Sequence, residues 1–131
     1  DLMRAVEEVG APLAAEQGIG FAVQGPDPTA VLQPYALRVQ QQSQTDFVVV
    51  MSRDAVRWTH PDPAQIGRKF IGHTEAALAG GVVEEDYTGT LGPSTRVVVP
   101  VTDRGRVVAL VSALNKRSSA LDPVGTSART T

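Results

Sequence analysis

A chain of 131 residues can build about one domain with a single modest core. Its 42% hydrophobic and 20% charged residues are ordinary for a globular protein, and a formal charge of −2 lacks the basic footprint of a nucleic-acid or anionic-membrane binder. The absence of cysteine rules out disulfide frameworks, thiolate metal sites and cysteine nucleophiles.

No apolar run approaches the roughly 18 residues of a membrane span, and no signal peptide is visible. A start at Asp1 rather than Met reads as a piece of something longer. Residues 1–19 place Leu2, Met3, Val6, Val9, Leu13 and Ala14 near helical period, with Gly10, Pro12 and Gly18 bending or fraying that helix. Gly25-Pro26-Asp27-Pro28 predicts a turn in which Asp27 caps a helix opening on Pro28. Val31, Leu32, Tyr35, Ala36 and Val39 then fit one helical face, and the run Gln40 to Gln44 reads as a solvated helix end.

Phe47 to Met51 predicts a buried strand, Ser52-Arg53-Asp54 a tight turn, and Ala55 to Thr59 a short returning strand ended by Pro61 and Pro63. Thr74 to Ala79 predicts one or two helical turns stopped by Gly80-Gly81. A short strand over Glu85 to Thr88 precedes a loop, Gly89-Thr90-Leu91-Gly92-Pro93. Ser94 to Thr102 and Arg106 to Leu114 are the longest strand signals, joined by Asp103-Arg104-Gly105 as a three-residue hairpin. Residues 118–131 read as a polar tail. Helices first and an antiparallel sheet second give an α+β fold, with the helices on one sheet face.

Chemistry concentrates at Arg57 and His60. Three apart on an unbroken strand they would face opposite sides, but Pro61 interrupts the ladder and can swing His60 onto the face of Arg57. The alternative is a surface arginine beside a capping histidine. With Asp103-Arg104-Gly105 as the loop, Thr102 pairs with Arg106 and Arg96 lies directly opposite Ser112, on one face. An arginine on that half-buried face must reach solvent or find an anion. Gly89 to Gly92 can bring backbone N–H groups to an oxyanion, with Thr90 adding a hydroxyl. Glu84, Glu85 and Asp86 read as a solvated strand edge, and His73 as the start of a short helix. His60 and His73 show no metal-ligand spacing. Ser112 sits in no nucleophile-elbow sequence, so an esterase reading has little support.

The strings FVVVMSRDAVRWTHPDPAQIGRKFIG and TGTLGPSTRVVVPVTDRGRVVALVS, with their spacing, resemble the extracytoplasmic sensor domain of citrate- and C4-dicarboxylate-sensing histidine kinases (CitA/DcuS-like) over about residues 27–113. The resemblance implies a PAS-like (PDC) sensor fold, with N-terminal helices over 1–44 and a core of about five antiparallel strands over 45–114. It implies a sensor domain over 1–117, outside the membrane and flanked by membrane helices. The whole protein would be a homodimeric sensor kinase acting on a response regulator. The fragment itself would be no enzyme and carry no cofactor, metal or nucleic acid. Arg57 and His60 would hold one carboxylate of a small ligand and Arg96 another. Thr90 and Ser112 would add hydroxyl contacts, Gly89 and Leu91 backbone contacts, and Phe70 a pocket wall. Val98 and Val49 stand where citrate-specialised members carry lysine and threonine, which favours a C4-dicarboxylate such as malate over citrate. A PAS-like dimerisation module with a vestigial pocket is the alternative.

Overall fold

The computed structural model describes residues 26–89 and 92–116. The helix expected over 1–19, the tail expected over 118–131, and Thr90 and Leu91 lie outside the described residues. The first described helix, α1, spans Pro28–Ser43. Its start follows the sequence signal, with the Asp27 side chain accepting the Ala30 N–H at 3.2 Å and Pro28 losing no bond at the first turn. Leu32, Ala36 and Val39 form the buried stripe, while Pro34 sits inside the helix on its exposed side. Gln44, with φ at 56°, ends the helix in the left-handed region.

The polar run at the helix end is only partly solvated. Gln41 and Gln42 are exposed, but Gln40 Oε1 accepts the Val48 N–H at 3.0 Å and so ties the helix to the next strand. That strand, β1, spans Phe47–Met51, as the valine-rich pattern predicts. A short 3-10 helix at Pro63–Gln65 and a single-turn helix, α2, at Glu75–Leu78 follow. Strands β2 (Val83–Gly89), β3 (Gly92–Asp103) and β4 (Arg106–Lys116) complete an antiparallel sheet of order β1-β4-β3-β2. Four strands are seen among the described residues, where about five were expected. The segment expected as a returning strand over Ala55 to Thr59 makes only two isolated bridges, Met51 with Arg57 and Val56 with Lys69. The loop expected from Gly89 to Pro93 is narrower, since Gly89 pairs with Gly92 and Thr88 with Pro93.

The β3–β4 register differs from the expected one. Asp103 pairs with Arg106, so the turn is the two residues Arg104 and Gly105, both at positive φ (54° and 79°). Such turns match the right-handed twist of the flanking strands. The ladder then shifts between Val101, which faces Ala109, and Thr102, which faces Val107. Ser112 therefore lies opposite Val98, and Arg96 opposite Leu114. From Arg96 to Val101 the slip is two residues, so Arg96 and Ser112 keep their shared face, whereas past the shift Val107 and Val108 exchange faces.

Each face has its own core. Towards α1, the sheet presents Val48, Val50, Val97, Val101, Ala109, Val111 and Ala113, which close on Leu32, Ala36 and Val39. Towards the segment between β1 and β2, Val49, Met51, Val98 and Leu110 pack on Ala55, Phe70 and Ala77. The second core covers only part of its face. Among the described residues no helix is long and apolar enough to cross a membrane.

Candidate functional site

The uncovered part of that second face is a cavity of about 440 Å³. The segment carrying Arg57 and His60 walls one side, and it is fixed from below by α1. Thr29 Oγ1 donates to the Trp58 carbonyl at 2.6 Å. One turn on, the Gln33 side chain brackets His60, donating to its carbonyl at 2.7 Å and accepting its N–H at 3.0 Å. Thr59 Oγ1 accepts the Val50 N–H at 2.9 Å, and both Trp58 and Thr59 donate to the Val50 carbonyl. These bonds replace the ladder that Pro61 breaks, and Arg57 and His60 both line the cavity.

The Arg57 backbone is clamped between Arg68 and Gly67, at 3.0 and 2.8 Å, and its Nη1 reaches Gln65 Oε1 at 3.4 Å. Burial lowers its pKa; the Tyr87 side chain opposes this, while Arg68 and Arg96 add to it. The His60 ring lies edge-on to Phe47 at 5.1 Å, and Nδ1 accepts the Asp62 N–H at 2.9 Å. That bond suits the neutral ring with its proton on Nε2, and burial, with Arg57 next, holds the pKa below the ordinary value. His60 thus offers the cavity a neutral Nε2–H donor.

Arg96 forms the opposite wall. It is 5% exposed, and its guanidinium lies between the rings of Tyr87 and Phe70, at 4.0 and 4.8 Å from their centroids. Gly72 permits this packing, because a Cβ there would stand 2.5 Å from Arg96 Nη2 and 2.6 Å from the Phe70 ring. Directly across the β2–β3 ladder, Glu85 Oε2 accepts from Nη2 at 2.7 Å. Its Oε1 meets His73 Nδ1 at 2.9 Å. Burial pushes the Glu85 carboxyl up, but the bonds from Arg96 and His73 outweigh that and hold it below the ordinary range. The acidic run is thus no simple solvated edge: Glu85 points at the arginine of the opposite wall. His73 is exposed and pairs with Glu85, while α2 begins two residues later. Arg96 Nε is buried and has no hydrogen-bond partner.

Of the expected site residues, Arg57, His60, Phe70, Arg96 and Ser112 line this one cavity. Gly89 closes β2 opposite Gly92. Val49 lines the cavity as well, whereas Val98 is fully buried in the core beneath Phe70. Sequence reading missed Asp62, Gln65, Tyr87 and Ser94 as lining residues, and Gln33 and Glu85 as supports. Period-two alternation along β2 already places Glu85 and Tyr87 on one face, and the spacing of Thr29 and Gln33 places both on one side of α1. Among the described residues no group of three His, Asp or Glu side chains is arranged to hold a metal ion.

A helix on one sheet face and a loop-covered cavity lined by cations on the other define a PAS-like sensor fold of the PDC type. The chain belongs to the single Cache domain 3 family, whose model matches residues 2–120. It is 37% identical to the sensor protein CitS of Halalkalibacterium halodurans over 98 residues, 70% of this chain and 17% of that protein. It is 31% identical to the sensor histidine kinase DpiB of Escherichia coli over 86 residues, 62% of this chain and 15% of that one. The chain thus corresponds to a small part of either protein. The crystal structure of the Escherichia coli DcuS sensor domain superposes with a TM-score of 0.77 at 24% identity, covering 92% of this chain and 91% of that one. The sensor domain of the Vibrio cholerae histidine kinase DctB gives 0.70 at 13% identity, covering 89% and 50%.

Proposed function

We propose that the chain is the extracytoplasmic ligand-binding domain of a membrane-bound sensor histidine kinase, and that its cavity binds a small di- or tricarboxylate, a C4-dicarboxylate such as malate before citrate. The observation that carries this reading is the convergence of Arg57 and Arg96, far apart in sequence, on one cavity of about 440 Å³. That volume falls in the range of small-ligand sites. One carboxylate would sit between Arg57 and the His60 Nε2–H, the other between Arg96 and Ser112, with Phe70 as the apolar wall. Each charge-assisted contact contributes about 1.5–3 kcal/mol.

A ligand held this way links the segment around Arg57 to β3 and β4. It would draw the segment and sheet together and move the end of β4, and with it a following membrane helix. The sensor unit would extend over 1–117 with a polar tail beyond, act as a homodimer, and pass its signal through a kinase domain to a response regulator. Support comes from the names of the relatives, which include a probable C4-dicarboxylate sensor kinase of Bacillus subtilis, 35% identical over 63 residues.

Thermal melting across a panel of di- and tricarboxylates tests the reading. It predicts a ligand-dependent rise in melting temperature for the wild type that is lost in Arg57→Ala and in Arg96→Lys. A panel with no shift for any acid would instead favour the dimerisation module with a vestigial pocket, a reading that the internal Arg96–Glu85 pair would suit.

A further inference from the structure

Arg96 is the cation on which the proposed second carboxylate depends, and it already has a carboxylate on it. Glu85 lies opposite it in the β2–β3 ladder, on the cavity face, and holds Nη2 at 2.7 Å. The pair is largely withdrawn from water, with the two side chains 6% and 19% exposed. In such a place a fixed charge acts on its neighbours with less screening than at a surface.

The charges around the cavity therefore nearly cancel. Arg57 and Arg96 are positive, while Asp62 on the wall and Glu85 on Arg96 are negative; His73, exposed on the other oxygen of Glu85, adds positive charge only where it is protonated. His60, with Nδ1 engaged by the Asp62 N–H, contributes a neutral donor. A ligand gains from the guanidiniums with each carboxylate it brings, and is repelled by Glu85 with each one too. Nearly neutral walls favour an acid of low charge over one carrying an extra carboxylate.

We propose that Glu85 is the specificity-determining residue of this site, the resident counter-ion of Arg96 that limits how much negative charge the cavity accepts. This rests on the carboxylate-binding reading above and adds to it. Selectivity between di- and tricarboxylates is then set from β2, outside the Arg57–His60 segment and apart from Val98.

Isothermal titration of the wild type and Glu85→Gln separates the two ideas. The probes are succinamate, succinate and tricarballylate, hydroxyl-free acids with one, two and three carboxylates, at fixed pH and low fixed salt. Glutamine keeps an acceptor for Arg96 and removes the charge. Affinity is expected to rise by about threefold, tenfold and thirtyfold along that series, one similar factor for each ligand charge. Where Glu85→Gln lacks a cooperative melting transition, Glu85→Thr, a strand former, carries the same test. Equal changes for all three acids, or weaker binding of all three, would overturn the proposal, because Glu85 would then only position Arg96. If neither wild type nor variant binds any of the acids, the carboxylate reading itself falls and takes this inference with it. Binding gained only in the variant would support the counter-ion role outright.

Discussion

The two faces of the sheet are built from alternate residues of the same strands, yet they have opposite characters. On the α1 face, every buried sheet residue is apolar and meets the helix stripe of Leu32, Ala36 and Val39. On the other face, Val49, Val98, Leu110 and Phe70 pack together, and beyond them Arg96, Ser112 and Ser94 stand among Phe47 and Leu114. One face is dry and holds the fold together. The other leaves a cavity that sets two arginines among apolar side chains, and one of its walls is hydrogen-bonded to α1.

The contrast can be broken most strongly from the dry side. Leu32→Ala should cost about 2–5 kcal/mol of stability in chemical denaturation, through lost burial and the cavity left behind. The affinity of the molecules that remain folded for a dicarboxylate should be unchanged. On the cavity side the pattern should invert. Arg57→Ala is expected to weaken dicarboxylate binding by about 10- to 100-fold in calorimetry, the equivalent of one charge-assisted contact, with little change in unfolding. Gly72→Ala forces Arg96 and Phe70 apart. Overpacking of this kind costs about 1–3 kcal/mol, and here it should appear as lost binding more than as lost stability.

Gln33→Ala tests the link between the faces. It deletes both hydrogen bonds to the His60 backbone, with an expected loss of about 0.5–1.5 kcal/mol for each bond and a matching fall in affinity. The smallest effect concerns pH. His60 has its pKa held below the ordinary 6.5, so as pH falls below that value the unfolded chain takes up the proton first. Its contribution to stability is present above 6.5 and fades as pH drops towards the folded value. His73, raised by Glu85, runs the other way: its contribution is present below 6.5 and lost as pH rises through the folded value. Melting the wild type against His60→Asn across this window cancels the His73 part. The wild type should lose ground to the variant on acidification, and parallel curves would contradict the assignment.

Much of the fold was legible in local chemistry. Asp27-Pro28 starts α1 and Phe47–Met51 is β1, because a cap and a valine run each determine structure over a few residues. The hairpin was harder. A positive φ at Arg104 is uncommon for a side-chain-bearing residue, so the tripeptide read as a three-residue loop, and the shift at Val101 then moved the register again. Arg96 and Ser112 nonetheless stayed on one face, since the slip was even. What the sequence could not show were partners set by tertiary placement. Glu85 meets Arg96 only through the β2–β3 register, and Gln33 reaches His60 only because α1 packs beneath that segment.

The cavity also changes how the substitution at Val98 bears on ligand choice. A lysine there would have to leave the core that contains Phe70 and Leu110 to reach a ligand, whereas Val49 already lines the wall. Glu85 offers a separate reason for low ligand charge, and that reason rests on a contact in the structure.

A crystal structure of the domain grown with saturating malate puts the central idea to the test most directly. The account predicts one carboxylate against Arg57 and the Nε2–H of His60, and the other against Arg96 and Ser112, in the space between the two walls. Malate seated elsewhere, or this cavity holding only water at saturation, would contradict it.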